Sequence, residues 1–151
     1  MSTTETSTTE TSTTETSTTE INRAVARRFY EEVVSQGRLD VLGEIIAEDA
    51  TDAAGPAGGN LGRDGFVRHI TWLRSAVEGV TATVTDTLAE GDRVVVYWTI
   101  EGIQRGEVFG APPSGRRFTG QSISTIRFRD GRIVEYEVLP DRLGIVQQLT
   151  A

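Results

Sequence analysis

Residues 93–128 constrain this chain more than any other stretch. They read as two long strands, Arg93–Gln104 and Arg117–Phe128, joined by a loop dense in glycine and proline. Valines, Tyr97, Trp98 and Thr99 suit a pleated, half-buried surface, and Gly110-Ala-Pro-Pro-Ser-Gly115 supplies turn chemistry between the strands. Along the first strand both alternating faces are apolar. Val94, Val96, Trp98 and Ile100 share one; Val95, Tyr97 and Ile103 share the other. A strand that is apolar on both sides must be covered on both sides. One cover can come from helices of the same chain. The other requires a closed pocket or a second copy, so a homodimer through the outer sheet face, with Trp98 or its neighbours buried, is expected.

The flanking sequence supplies the helices. Ile21, Val25, Phe29 and Val33, with Ala26, Tyr30 and Val34 beside them, form an apolar stripe of helical period that ends before Gly37. Asp40 can cap a short second helix carrying Leu42, Ile45 and Ile46. A short strand over 48–55, a loop over 55–60 and a third helix over 64–78, burying Phe66, Ile70, Leu73 and Val77, follow. Then come a strand over 80–88, the long pair, a turn at Asp130-Gly131, a last strand over 132–139 and a closing helix over 143–149 behind Asp141. Helices segregated to one side of an antiparallel sheet make an α+β fold. A strongly curved sheet wrapped around the first helix gives a cone-shaped α+β barrel with an interior pocket.

Charge and composition narrow the partners. The net charge is −7, but Glu5, Glu10, Glu15 and Glu20 lie in the first twenty residues, leaving about −3 for the rest. That mild acidity argues against nucleic acid or an anionic membrane as partner. Residues 1–20 are four copies of a five-residue Ser/Thr/Glu unit with nothing to bury, expected to be disordered, and residues 21–151 form one domain. There is no cysteine, and no apolar run of spanning length or signal-peptide character, so a cytoplasmic protein is expected. No phosphate-binding glycine loop and no recognisable flavin or nicotinamide site stands out, and a single histidine without cysteine argues against a metal site.

Several stretches resemble the SnoaL-like polyketide cyclases of the nuclear-transport-factor-2-like superfamily. They include Arg28-Phe-Tyr-Glu-Glu-Val, Gly37-Arg-Leu-Asp-Val-Leu, Gly62-Arg-Asp-Gly and Ala89-Glu-Gly-Asp-Arg-Val-Val-Val. Gly106-Glu-Val-Phe-Gly-Ala-Pro-Pro-Ser-Gly, Asp130-Gly-Arg-Ile-Val-Glu and Asp141-Arg-Leu-Gly-Ile-Val-Gln-Gln-Leu complete the likeness. The resemblance implies a cone-shaped fold, usually dimeric, that hosts cyclases, isomerases, epoxide hydrolases, hydroxylases and plain binding domains. Tyr30 falls where ketosteroid isomerases place a hydrogen-bond donor to a developing enolate. Asp52 matches an acidic position common among the cyclases, and Glu101 resembles an active-site acid of limonene-type epoxide hydrolases. Thr99 and Val138 replace that hydrolase pattern's Arg and second Asp. Val138 also sits near the cyclases' last-strand Asp, and Ser124 stands at the isomerases' second acid.

The chemistry expected from these residues is cofactor-independent. Asp52, His69 and Glu101 are the candidate acid–base groups, with His69 one turn from Phe66 and Leu73 on the pocket side of its helix. Strand alternation is read as pointing Tyr97, Thr99 and Glu101 into the cone with Ser122, Ser124, Tyr136 and Val138. Glu101 would then sit among apolar neighbours that favour its protonated form. Tyr30 or Tyr97 would steady an enolate, and Phe66 would line the pocket. A cyclase or isomerase of a hydrophobic polyketide-type metabolite is the leading reading. The alternatives are addition of water or oxygen in the same pocket, and a non-catalytic small-molecule-binding module.

Overall fold

A computed structural model describes residues 17–53 and 62–151. The repeats through residue 16 and the expected loop at 55–60 lie outside the described residues. Helix α1 is α-helical over residues 17–28, so the last four residues of the fourth repeat are helical. It continues as a π-helical segment, Phe29–Ser35. The wider π winding lets adjacent residues share the core face, and Phe29, Tyr30, Val33 and Val34 are all buried. Ile21, expected to begin the stripe, is 52% exposed, and burial starts with Asn22 and Ala26. A 3₁₀ turn, Leu39–Val41, leads into the one-turn helix α2, Leu42–Ile45. Asp40 does not cap it; its carboxylate pairs with Arg38 at 3.3 Å instead.

Strand β1 (Ile46–Asp52) precedes helix α3 (Arg63–Ala76). β2 (Val77–Glu90), β3 (Arg93–Gln104), β4 (Arg117–Arg129) and β5 (Arg132–Pro140) then form a meander, closed by helix α4 (Arg142–Thr150). The sheet order is β1-β5-β4-β3-β2, antiparallel throughout except that β1 runs parallel to β5. The sheet is open rather than a closed barrel, with β1 and β2 as its edges. α3 packs on both edges, and α1 packs against β2 from the inner side. Register shifts at Val84/Asp86, Glu78/Thr81 and Arg127/Phe128 interrupt the ladders where the long strands bend.

The register fixes which face is which. Trp98 lies opposite Ser122, Val96 opposite Ser124, and Ser124 opposite Val138, so these share the inner face. Tyr97 lies opposite Ile123 and Glu101 opposite Thr119, on the outer face. Tyr97 is 37% exposed and Glu101 is exposed, while Trp98 is 7% exposed within a single chain. The expectation that Tyr97, Thr99 and Glu101 face the interior is therefore corrected, as is the assignment of Trp98 to a dimer interface. Both rows of β3 are apolar, so hydrophobicity alone does not choose between them.

Candidate active site

A cavity of about 280 Å³ opens between the inner face of the sheet, α1, α3 and α4. Its walls are apolar, with Phe29, Ile70, Trp72, Leu73, Trp98 and Ile145 prominent, and its polar points are His69, Ser122, Tyr136 and Arg142. α4 can cover this end because Gly120 leaves room for it: a Cβ there would stand 2.5 Å from Ile145 Cδ1. The Asp141 side chain caps α4 as its position before the helix suggests, accepting from Gly144 N–H at 3.0 Å.

One wall carries a pair of groups suited to proton transfer. His69 Nδ1 lies 2.6 Å from Asp52 Oδ2, with the Asp52 side chain 2% exposed and the His69 side chain 16%. Arg63, in the first turn of α3, donates twice to Ile46 O at 3.0 and 2.9 Å, which locks α3 against β1 and sets this contact. A carboxylate can only accept, so the hydrogen between the two groups belongs to Nδ1. Nε2 is then the ring nitrogen left for a substrate. In this arrangement the carboxylate can hold the tautomer and stabilise an imidazolium formed by protonation at Nε2.

Beside this pair runs a buried chain of hydrogen bonds. Trp98 Nε1–H donates to Ser124 Oγ at 2.9 Å, and the Ser124 hydroxyl donates to the Tyr136 hydroxyl at 3.1 Å. The Tyr136 and Tyr30 hydroxyls meet at 3.2 Å. Parallel pairing sets Asp52 beside Tyr136, and Ala53 N–H reinforces it by donating to Tyr136 O at 3.0 Å. Burial pushes the Tyr136 hydroxyl up to about 12; hydrogen bonds with Ser124 and Tyr30 pull it back, and the Asp52 charge adds to the rise. Burial also lifts Tyr30 well above the ordinary tyrosine range, with Tyr136 as the next contributor. Both phenols stay protonated and able to donate at neutral pH.

His69, Ser122, Tyr136 and Val138 line the cavity, and Asp52 stands directly behind His69. Tyr30 is fully buried behind Tyr136 and does not line the cavity, so it acts on any substrate only through that neighbour. Ser124 is likewise a link in the chain rather than a wall. Phe66 is corrected from pocket lining to core: it packs edge-on against Phe29 and Tyr136, 1% exposed. Tyr97 and Thr99 border a groove on the outer face. Among the walls that sequence reasoning missed are Trp98, Trp72, Phe109 and Arg142. The alternation of β3 carried the signal for Trp98, since Arg93 and Glu101 fall in the opposite row.

An open, strongly curved sheet around a helix, with an acid–base pair at the wall of an apolar cavity, defines a pocket protein of the nuclear-transport-factor-2-like fold. TsrD from Streptomyces laurentii has this fold, with a TM-score of 0.78 and 28% identity over 87% of this chain and 96% of that one. Residues 24–149 match the SnoaL-like polyketide cyclases, and the chain belongs to that family. Nogalonic acid methyl ester cyclase of Streptomyces nogalater is 30% identical over 115 residues, covering 75% of this chain and 86% of that enzyme. Aklanonic acid methyl ester cyclase DauD of Streptomyces sp. (strain C5) is 34% identical over 122 residues, covering 78% and 75%. The chain is accordingly an enzyme of the polyketide cyclase kind. Among the described residues no helix is long and apolar enough to cross a membrane, and no group of three or more His, Cys, Asp or Glu could hold a metal.

Proposed function

We propose that the protein closes a ring in a hydrophobic polyketide-type substrate by intramolecular aldol chemistry, with His69 as the proton-transfer group. The observation that carries this reading is the 2.6 Å contact between His69 and buried Asp52 at the wall of an apolar cavity. His69 Nε2 takes a proton from the carbon next to a carbonyl, and the carbanion's charge moves to the carbonyl oxygen. The Tyr136 hydroxyl donates to that oxygen. When Tyr30 is the donor in its contact with Tyr136, Tyr136 accepts from two sides and its own hydrogen is free for the substrate. The carbon then attacks a second carbonyl of the same molecule, one carbon–carbon bond forms, and the new alkoxide takes the proton back from the imidazolium. No atom is gained or lost, so substrate and product have the same mass. Apolar walls exclude water from the enolate.

Nogalonic and aklanonic acid methyl esters, the compounds for which the relatives are named, are the substrates to try first. Chromatography should show conversion of one of them to an isomer of equal mass, with the His69→Gln protein slower by about 10²–10⁴. Equal conversion by wild type and His69→Gln would sink this reading.

The outer sheet face presents Tyr97, Ile123 and Leu139, the last 68% exposed. This row supports a homodimer joined through that face. Sedimentation should give twice the chain mass, reverting to one on Ile123→Glu; a monomeric wild type at tens of micromolar would refute it.

A further inference from the structure

The open end of the cavity is built as carefully as the end that holds His69, and the reaction above does not use it. Phe109 and Arg142 line it, with the Arg142 guanidinium 5.0 Å from the centre of the Phe109 ring. Phe109 occupies backbone space that suits Gly or Asn, at φ 48°, followed by Gly110 at φ 81°. The other such turn, Asp130-Gly131 with φ 53° and 75°, uses residues that tolerate it, whereas a bulky aromatic there is strained. The strain is held by pairing of Val108 with Ala111 and by Gln104, which is fully buried. Gln104 Nε2–H donates to Ala111 O at 2.9 Å, and its Oε1 accepts from Ser114 N–H and Oγ–H at 3.1 and 2.6 Å. The loop is thus pinned from within, and the pinning presents Phe109 to the cavity mouth.

Beyond the Phe109 ring, Arg142 has no side-chain partner among the described residues. Among the described residues it forms no ion pair, and the adjacent Asp141 carboxylate is engaged by the Gly144 N–H. It stands at the first position of α4, where the helix dipole disfavours a cation. Its charge therefore works against the helix while its side chain borders the cavity. Position along β5 shows which part of a ligand it would meet. Tyr136, Val138 and Pro140 follow one another along the cavity wall, and at about 3.3 Å per residue Tyr136 and Pro140 lie about 13 Å apart. Arg142 comes next, at the end away from Tyr136, Asp52 and His69.

We propose that Arg142, seated on the Phe109 ring, recognises an acidic oxygen at the end of the substrate away from the reacting carbonyl. The group is a carboxylate or a phenolate, both of which a guanidinium fork matches with charge-assisted hydrogen bonds. The assignment builds on the cyclase reading for its orientation, but its test does not depend on turnover. Trp72 and Trp98, the only two tryptophans, both line the cavity, so quenching of their fluorescence reads occupancy. Anthraquinone-2-carboxylate, its neutral carboxamide and ionised 2-hydroxyanthraquinone serve as probes.

At least one anionic probe should bind about tenfold to a hundredfold more tightly than the carboxamide, and which one does identifies the oxygen recognised. Arg142→Gln should erase that preference, costing the preferred anion far more than the carboxamide, and Arg142→Lys should retain part of it. Equal binding of all three probes by the wild type overturns the proposal. So does an equal loss for all three on Arg142→Gln, or the failure of all three probes to quench. An anion preference through Arg142 in a protein that cyclises nothing would refute the cyclase chemistry alone; cyclisation without that preference would refute the Arg142 assignment alone.

Discussion

On the inner face of β3, Trp98 donates to Ser124, and through it the Tyr136 hydroxyl is held beside Asp52 and the cavity. One residue away on the outer face, Tyr97 is more than a third exposed and Glu101 meets solvent between Thr81 and Thr119. The two rows are alike in hydrophobicity and in carrying an aromatic with a polar tip. What separates them is enclosure. Inside, α1, α3 and α4 remove water, so every hydroxyl must find a partner and every charge acts through a weak dielectric. Outside, a carboxylate such as Glu101 keeps its hydration and has nothing to react with. On this reading chemistry follows the covered face, and hydrophobicity alone does not reveal which face is covered.

The largest effect that would sharpen this contrast comes from the inner carboxylate. Asp52→Asn preserves shape and can still accept from Nδ1, yet it removes the charge that steadies a protonated His69. Turnover should fall by about 10²–10⁴, as for His69→Gln, with the melting temperature little changed. The double variant should be no slower than the worse single one, because the two groups act as a unit. Additive losses would show that Asp52 works separately from the histidine.

Tyr136 comes next. Tyr136→Phe removes the donor while keeping the ring against Phe29 and Phe66, and should cost about 10² in turnover. It should also change the alkaline limb of stability. The native Tyr136 phenol holds its proton up to about 12 whereas the unfolded one releases it near 10.0, so the native state binds more protons between those values. Its stabilising contribution is therefore intact below 10.0 and is lost as pH climbs through 12, a change on the order of 3 kcal/mol. Denaturant titrations across this range should show a steeper decline for wild type than for Tyr136→Phe. Parallel curves would mean that Tyr136 is solvated and the inner face less enclosed than described.

Much of the fold was legible because the helical stripe, the turn residues and the strand lengths all point the same way. Asp52 and His69 were each visible as isolated polar residues on elements facing the core. Their contact was not, since it depends on Arg63 fixing α3 against β1 rather than on any spacing. Depth was invisible too. Tyr30 and Tyr136 face the same interior, and only the π winding of α1 and the pairing of β5 with β1 decide which ring reaches the cavity. The face of β3 was misread because both rows are apolar. A count of charge would have chosen correctly, since Arg93 and Glu101 both fall in the Tyr97 row and none in the Trp98 row.

The smallest expected effect is the sharpest test of that contrast. Glu101 lies within three residues of Trp98 on the same strand, so a purely local account of catalysis would give it weight. The geometry gives it none: its neighbours across the sheet are Thr81 and Thr119, and the cavity wall is built from Trp98 and Ile100. Glu101→Gln should leave turnover within about twofold and stability within about 0.5 kcal/mol, the ordinary range for an exposed surface position. A hundredfold loss with an unchanged melting curve would break the division between the faces. It would place a reacting group on the outside of the sheet, where only a pocket completed by a second copy could shelter the chemistry from water.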